Sequence, residues 1–164
     1  MPVILLETCV RAPAERCFDL SRSVELHLHS SAATGEKAVG GVTRGMLGPG
    51  QQVTWRARHL GVTQHLTSRI VEYDRPTHFR DRMVRGAFAR FDHDHDFEAC
   101  DGGTLMRERF DYDAPLGVLG TLAERLFLTR YMRRFLQDRC ETIKRIAESD
   151  EWRRFVPDEG TATG

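Results

Sequence analysis

The C-terminal third of the chain carries the pattern that most restricts how it can fold. From about Leu119 to Glu148, apolar side chains recur with the 3.6-residue period of an α-helix, and arginines and glutamates occupy the opposite side. At about 1.5 Å per residue this helix would be about 45 Å long, enough to cross a whole sheet. Its apolar side needs such a partner in order to be buried. That side consists of Leu119, Leu122, Leu126, Thr129, Met132, Leu136, Cys140, Ile143 and Ala147.

The region before this helix has the composition of β-strands separated by turns. Gly48-Pro49-Gly50 and Asp101-Gly102-Gly103 are turn sequences between runs of β-forming residues, as expected for an antiparallel meander. Pro13 suits the first turn of a helix, and Ser23 can cap a second one. We therefore predict short helices at 14–20 and 23–29, and strands at 3–11, 36–39, 51–60, 62–73, 77–85, 88–99 and 104–112.

The length of the chain predicts a single domain. With 164 residues, 40% of them hydrophobic, the chain is long enough for one packed core. We assign residues 1–150 to this domain. Residues 151–164 end in VPDEGTATG, which is typical of a polar C-terminal tail.

Charge and cysteine content exclude several classes of partner. The 24 basic residues balance 24 acidic ones, so no net field attracts a polyanion and nucleic acid is not an expected partner. The apolar run in MPVILLETCVRAP is too short for a secretory signal or a membrane span. The scattered cysteines form no C-x-x-C pair and suggest reduced thiols. We therefore expect a cytoplasmic location.

The stretch RFDHDHDFE, residues 90–98, places two histidines and three aspartates at two-residue spacing. In an extended strand, alternate side chains share a face. Phe91, His93, His95 and Phe97 should therefore face inward, and Arg90, Asp92, Asp94 and Asp96 should face outward.

The turn that follows fixes the partners of this strand. Asp101-Gly102 is a strong two-residue hairpin signal, which would set Cys100 opposite Gly103. A Gly102-Gly103 loop would shift the partners by two and keep the faces, whereas a three-residue loop with a bulge would not. In the first register Phe97 faces Met106, His95 faces Glu108, His93 faces Phe110 and Phe91 faces Tyr112, while Asp96 faces Arg107 and Asp94 faces Arg109.

The histidines raise the possibility of a metal site. Two imidazoles and Glu108 are the kinds of donor that zinc and iron sites use. A further ligand at a defined spacing is missing, and His27, His29, His59, His65 and His78 follow no ligand motif. We therefore expect no metal and no other cofactor. The buried imidazoles and carboxylate must then hydrogen-bond to each other, to water or to a bound molecule.

The order of elements resembles the helix-grip fold of the START and pollen-allergen superfamily, also called SRPBCC or polyketide cyclase/dehydrase-like. The similarity covers about residues 1–148. It is carried by VRAPAERCFDL at 10–20, Gly48-Pro49-Gly50 with Val53-Thr54-Trp55, Asp74-Arg75-Pro76, the Phe91-x-His93-x-His95-x-Phe97 strand and Asp111-Tyr112-Asp113-Ala114-Pro115-Leu116-Gly117.

This resemblance implies an α+β fold in which a seven-stranded curved antiparallel sheet wraps around a long C-terminal helix, with two short helices between strands 1 and 2. Members of the superfamily use a cavity between sheet and helix to hold lipids, hormones, polyketides or other apolar molecules. Some are enzymes and many only bind. No catalytic motif is shared across the superfamily, so the resemblance assigns no catalytic residue.

The first functional hypothesis is therefore the binding of a small hydrophobic or amphipathic molecule in such a cavity. An aromatic and aliphatic wall with a few polar groups is typical of ligand pockets, although an aromatic stripe is also typical of a solid core. The candidate ligand-binding residues are Trp55, Phe79, Asp81, Met83, Phe91, His93, His95, Phe97, Met106, Glu108, Phe110, Tyr112, Leu126 and Met132.

Two alternatives remain open. A cyclase, dehydratase or hydrolase could use His95 as general base, oriented by Glu108, with His93 or Asp81 as proton donor. A homodimer or partner-binding module could instead use the aromatic side chains Phe127, Tyr131, Phe135, Trp152 and Phe155.

Overall fold

The computed structural model describes residues 2–114 and 122–156. Seven strands are present: β1 (Val3–Val10), β2 (Lys37–Gly41), β3 (Gln52–His59), β4 (Val62–Asp74), β5 (His78–Arg85), β6 (Arg90–Cys100) and β7 (Gly103–Asp113). The α-helices are α1 (Ala14–Ser21), α2 (Val24–Ser30) and α3 (Leu122–Ala147), and 3₁₀ turns span Ala32–Thr34 and Asp150–Arg154. Each strand and helix predicted from the sequence corresponds to one of these, with ends shifted by a few residues. The predicted helical residues 119–121 lie outside the described residues.

The strands form one antiparallel sheet in the order β1-β7-β6-β5-β4-β3-β2. Consecutive strands from β2 to β7 are neighbours, and β1 joins beside β7. The predicted fold class is therefore confirmed: a seven-stranded antiparallel sheet packs against a long C-terminal helix, with two short helices between β1 and β2. None of the described helices combines the length and the apolar character needed to cross a membrane.

The β6–β7 hairpin has the first of the predicted registers. Cys100 pairs with Gly103, and further along the ladder His95 pairs with Glu108 and His93 with Phe110. Gly102 adopts φ 79°, the left-handed conformation that a two-residue turn requires and that glycine tolerates at low cost. A short local turn signal thus fixed the positions of residues on both faces of the sheet.

Alternate side chains of β6 face opposite sides, as predicted. Phe91, His93, His95 and Phe97 are 1–4% exposed. On the outer face, Asp92 pairs with Arg82 at 2.5 Å, and Asp94 pairs with Arg80 at 2.6 Å. Asp94 is only 5% exposed because arginine side chains cover it.

The outer face also departs from the expected ion pairs in one place. Asp96 lies opposite Arg107 in the ladder, but it contacts His78 at 2.8 Å. Arg107 instead pairs with Glu7 on β1 and with Glu98. Long guanidinium side chains reach diagonal partners, so the register alone does not determine the ion pairs.

The buried face of α3 is rotated from the predicted stripe at its N-terminal end. Leu136, Cys140, Ile143 and Ala147 are buried as expected, whereas Leu126 is 62% exposed. Viewed down the helix axis at 100° per residue, the buried side chains form one arc that has Met132 and Ile143 near its middle. Leu126 falls outside this arc. Leu128 is partly buried and packs against the core in its place.

Phe18 on α1 fills one end of the space between the helices and the sheet. Its ring makes edge-on contacts with Tyr73, Phe79 and Phe97 at centroid distances of 5.3–5.4 Å. This aromatic cluster is solid core. It separates the filled end of the domain from the hollow described below.

The predicted polar tail from residue 151 is described as far as residue 156, and residues 157–164 lie outside the described residues. The 3₁₀ turn Asp150–Arg154 is capped by Ser149, and Arg16 stacks over the ring of Trp152 at 4.4 Å. Phe155 is only 7% exposed, and its carbonyl oxygen accepts a hydrogen bond from Ser23 Oγ. The two aromatic side chains dock this segment on α1 and α2, so the packed chain extends at least to residue 156.

Candidate functional site

A cavity of about 630 Å³ lies between α3 and the inner face of the sheet. Aromatic and aliphatic side chains form most of its wall. Leu60, at the end of the β3–β4 hairpin, and Phe127, near the start of α3, line the cavity and are still 55% and 57% exposed. These two residues therefore mark its open side.

Most of the candidate ligand-binding residues named from the sequence line this cavity. They are Trp55, Phe79, Asp81, Phe91, His93, His95, Phe110 and Met132. They meet because the inner faces of β3, β5, β6 and β7 carry them to one side of the sheet, and α3 closes that side.

The other candidates lie elsewhere. Phe97 belongs to the Phe18 cluster, and Met106 is 2% exposed within the core. Tyr112 is buried, and its hydroxyl forms a hydrogen bond of 2.9 Å with Thr129 Oγ1. Met83 is partly buried, and Leu126 points away from the cavity. Glu108 is 4% exposed and lies behind the two imidazoles rather than on the cavity surface.

His93, His95, Asp81 and Glu108 form a polar cluster in this wall. The ladder pairs Asp81 with His93 and His95 with Glu108, so three neighbouring strands supply the four side chains. Asp81 Oδ1 lies 3.0 Å from His95 Nε2 and 3.7 Å from His93 Nδ1. Glu108 lies 3.1 Å from His93 Nε2 and 3.4 Å from His95 Nδ1. Each carboxylate thus faces both imidazoles, and each imidazole faces both carboxylates.

The pKa values of the two imidazoles shift in opposite directions. Burial lowers the pKa of His93, and the neighbouring His95 lowers it further in spite of Glu108. Burial also acts to lower the pKa of His95, but Asp81 and Glu108 outweigh it and raise that pKa. The role of His95 as a general base stays a prediction.

The pKa values of both carboxylates are lowered. Burial alone would raise the pKa of each, but the imidazoles lower the pKa of Asp81 and hold that of Glu108 well below its ordinary value. In the described part of the chain, His95 Nδ1 is a buried nitrogen without a hydrogen-bond partner, because its contact with Glu108 at 3.4 Å is not aligned for one. The cluster is therefore tightly packed but not fully satisfied.

The sequence patterns missed several polar residues of the cavity. Arg139 on α3 is 9% exposed, lines the cavity and donates a hydrogen bond of 2.7 Å to the carbonyl oxygen of Ser21. The feature that could have identified Arg139 is its position among the buried residues of α3. His27 stacks on Trp55 with a centroid distance of 4.0 Å and contacts Glu36 at 3.1 Å. His27, Glu36 and Trp55 lie on different elements, so no local sequence spacing connects them.

One group of donor atoms has the arrangement of a metal-binding set. Atoms from Asp81, His93 and His95 all lie within 4.8 Å of one another. The spacing within the sequence offers no further ligand beside the histidines. The pairing of β5 with β6 provides one, and it could not be derived from the spacing within either strand.

Comparisons with known proteins agree with this architecture. The profile of a family described as polyketide cyclase / dehydrase and lipid transport matches residues 6–148. A comparison with curated protein sequences finds no match.

Solved structures share the fold at low sequence identity. The Zhui aromatase/cyclase from Streptomyces sp. R1128 is 18% identical with a TM-score of 0.71, covering 93% of this chain and 94% of that one. A START superfamily protein from Mycobacterium smegmatis is 12% identical with a TM-score of 0.67, covering 89% and 97%. Major latex-like protein 151 from Panax ginseng is 15% identical with a TM-score of 0.64, covering 90% and 98%.

Proposed function

The chain belongs to the polyketide cyclase / dehydrase and lipid transport family, and from this premise we propose that it binds a small, mainly apolar ligand between the sheet and α3. The observation that supports this proposal most is the cavity of about 630 Å³, whose mainly apolar wall includes Asp81, His93 and His95. Drug-sized ligands occupy pockets of about 300 to 1,000 Å³ with a similar distribution of polar groups. A ligand of this class would be largely enclosed.

The wall suggests how such a ligand would be oriented. Its apolar body would pack against Trp55, Phe91 and Phe110, which line the cavity from three strands. A hydroxyl or carbonyl group at one end would reach Asp81 and His95. A buried polar cluster gains from such a partner because an unpaired group away from water is costly. We therefore expect amphipathic ligands to bind more tightly than purely apolar ones of the same size.

Fluorescence quenching of Trp55 tests this proposal. The chain has two tryptophans, so a Trp152→Phe background leaves Trp55 as the reporter. Titration with a panel of polycyclic phenols, sterols and fatty acids should give saturable quenching by at least one class. In the same background, Ala57→Phe should weaken binding because Ala57 lines the cavity, whereas Ala99→Phe on the exposed end of β6 should not.

Two results would contradict ligand binding in this cavity. One is that no ligand class gives saturable quenching, and the other is that the Ala57→Phe and Ala99→Phe variants bind with equal affinity. Far-UV circular dichroism on both variants establishes that they are folded.

A second candidate function, catalysis on the bound ligand, is favoured by one observation. His95 Nε2 and Asp81 Oδ1 are 3.0 Å apart in the cavity wall, where they could transfer protons to and from a ligand. Turnover of a linear polyketide-like thioester distinguishes the two functions. A catalytic cluster predicts product formation that His95→Gln abolishes while quenching persists, whereas a binding protein predicts no product.

A further inference from the structure

Three donor atoms of the polar cluster converge on one point of the cavity wall. His93 Nδ1 and His95 Nε2 both face Asp81 Oδ1, at 3.7 and 3.0 Å. We propose that Asp81, His93 and His95 form a binding site for one divalent transition-metal ion, with Zn²⁺ as the reference ion. This proposal does not depend on the ligand proposed above, because the metal alone is sufficient to test it.

The spacing of the donors suits such an ion. Zinc–nitrogen and zinc–oxygen bonds of about 2.0 to 2.2 Å in a tetrahedron place neighbouring donors about 3.3 Å apart. The two observed separations from Asp81 Oδ1, 3.0 and 3.7 Å, lie on either side of this value. All three donor atoms lie within 4.8 Å of one another, so the imidazoles would have to move closer together to complete a tetrahedral site.

Glu108 occupies the position of an orienting carboxylate. It contacts the ring nitrogens that point away from Asp81, which are His93 Nε2 at 3.1 Å and His95 Nδ1 at 3.4 Å. Imidazoles that bind a metal commonly donate their other N–H to a carboxylate, which fixes the tautomer and the ring orientation. In the metal-bound form, N–H groups on His93 Nε2 and His95 Nδ1 would be turned toward Glu108, and the lone pairs of His93 Nδ1 and His95 Nε2 would face the Asp81 oxygen. A bound cation would then take the place of the proton that joins His95 Nε2 to Asp81 Oδ1 in the hydrogen bond of 3.0 Å.

The formal charges also favour a divalent ion. Asp81 and Glu108 bring two carboxylates to this wall, and imidazoles bind a metal in their neutral form, so one divalent cation would balance the charge of the metal-bound set. Two imidazoles with one carboxylate suit Zn²⁺, Fe²⁺ or Co²⁺ better than Mg²⁺ or Ca²⁺, which prefer oxygen donors. Arg139 is the nearby positive charge that opposes the ion, and its guanidinium is held by the carbonyl oxygen of Ser21.

All three ligands line the cavity, so the remaining coordination position opens into it. Three protein ligands and one open position is the arrangement of zinc sites that bind a water or a substrate group, in contrast to closed structural sites. A ligand group in the cavity could therefore complete the coordination.

Metal titration of untagged protein treated with a chelator tests the proposal. Isothermal titration with Zn²⁺ should give one ion per chain, and Co²⁺ should give the intense visible band of a four-coordinate site. Asp81→Asn should abolish both signals, and Glu108→Gln should weaken Zn²⁺ binding by about 10- to 100-fold. Near-UV circular dichroism without metal shows whether each variant keeps the native packing.

His78→Gln is the matched control. His78 also lies among carboxylates, 2.8 Å from Asp96 and 3.4 Å from Glu72, but on the outer face of the sheet. Metal binding should be unchanged in this variant. The proposal is overturned by a wild-type protein that binds no stoichiometric Zn²⁺, by a folded Asp81→Asn variant that binds as tightly as wild type, or by loss of binding in His78→Gln.

Discussion

Asp19 shows how one side chain can join separate parts of the chain. It lies on α1, and Arg22, one turn later, approaches it to 2.7 Å, while Arg75 from the β4–β5 turn donates two hydrogen bonds of 2.7 and 3.1 Å. Burial alone would raise the pKa of Asp19, but Arg75 and Arg22 lower it below the ordinary value. The carboxylate is therefore more stable in the folded protein than in the unfolded chain.

A pH dependence follows from this shift. Because the pKa of Asp19 is depressed on folding, its contribution to stability is present above the ordinary value of 3.8 and is lost as the pH falls through the lower folded value. At neutral pH, Asp19→Asn should lower the free energy of unfolding by about 3 kcal/mol, since it removes the buried negative charge that Arg22 and Arg75 contact. Urea denaturation at pH 7 and at acidic pH should show that the difference between wild type and variant shrinks with acidification. A constant difference would contradict the role of the ion pair.

Single residues also show what a sequence can reveal of a site. His95 and Glu108 could be paired from the sequence because the two-residue turn at Gly102 connects their strands directly. Asp81 could be placed on the correct face, but not beside these histidines, because the irregular residues 86–89 between β5 and β6 give no turn signal that fixes the register. Arg139 and Glu36 reach the cavity or its wall from distant elements, and only tertiary packing brings them there.

At the scale of an element, α3 shows a limit of periodicity. The apolar spacing correctly predicts a long helix with one buried side, but it places Leu126 on that side and not Leu128, which lies on nearly the opposite side of the helix. The choice depends on how the helix meets the curved sheet, which is a property of the whole domain. The structure selects Leu128, which lines the cavity, and exposes Leu126.

Two leucine variants test this orientation of α3. Leu136→Ala should lower the free energy of unfolding by about 2 to 4 kcal/mol, because Leu136 is 4% exposed. Leu126→Ala, the matched exposed change, should cost less than about 0.5 kcal/mol. Thermal or chemical denaturation of both variants provides the comparison. Equal losses would mean that Leu126 is buried in solution.

The sequence also suggests a homodimer surface formed by the aromatic residues on and after α3. Tyr131 instead forms a hydrogen bond of 2.8 Å with His59, and Phe155 is buried beside the short helices. Phe127 is 57% exposed and is the residue of that set best placed for contact with a second chain. Dimerisation through it stays a prediction.

Light scattering at micromolar concentration tests the dimer. A mass of two chains for wild type and of one chain for Phe127→Glu is the expected result if this surface associates. A single-chain mass for both proteins, or a two-chain mass for both, would show that Phe127 does not form such an interface.

At the scale of the whole molecule, the fold divides its interior into two parts. Near Phe18 the space between the helices and the sheet is filled by packed aromatic rings, and further along α3 the same space is open. The filled end provides a core on which the domain can fold. The open end is available for a ligand without loss of that core.

Ligand binding should therefore stabilise the domain in a way that depends on concentration. A ligand present at 100 times its Kd adds about 2.7 kcal/mol to the free energy of unfolding if the unfolded chain does not bind it. Thermal unfolding with and without the tightest ligand from the panel measures this gain. Ala57→Phe, which fills part of the cavity, should lose most of the gain, whereas Ala99→Phe should keep it.

The alternation of inner and outer side chains along β6 restricts which mutations this strand can accept. One run of nine residues, 90–98, supplies the imidazoles of the cavity from its odd positions and the carboxylates of the outer arginine pairs from its even positions. Deleting or inserting a single residue here would exchange the two sets, placing aspartates against the aromatic interior and histidines among arginines. Single substitutions in this strand therefore affect one face of the sheet, whereas the insertion or deletion of one residue would disrupt the packing of the interior and the ion pairs of the outer face together.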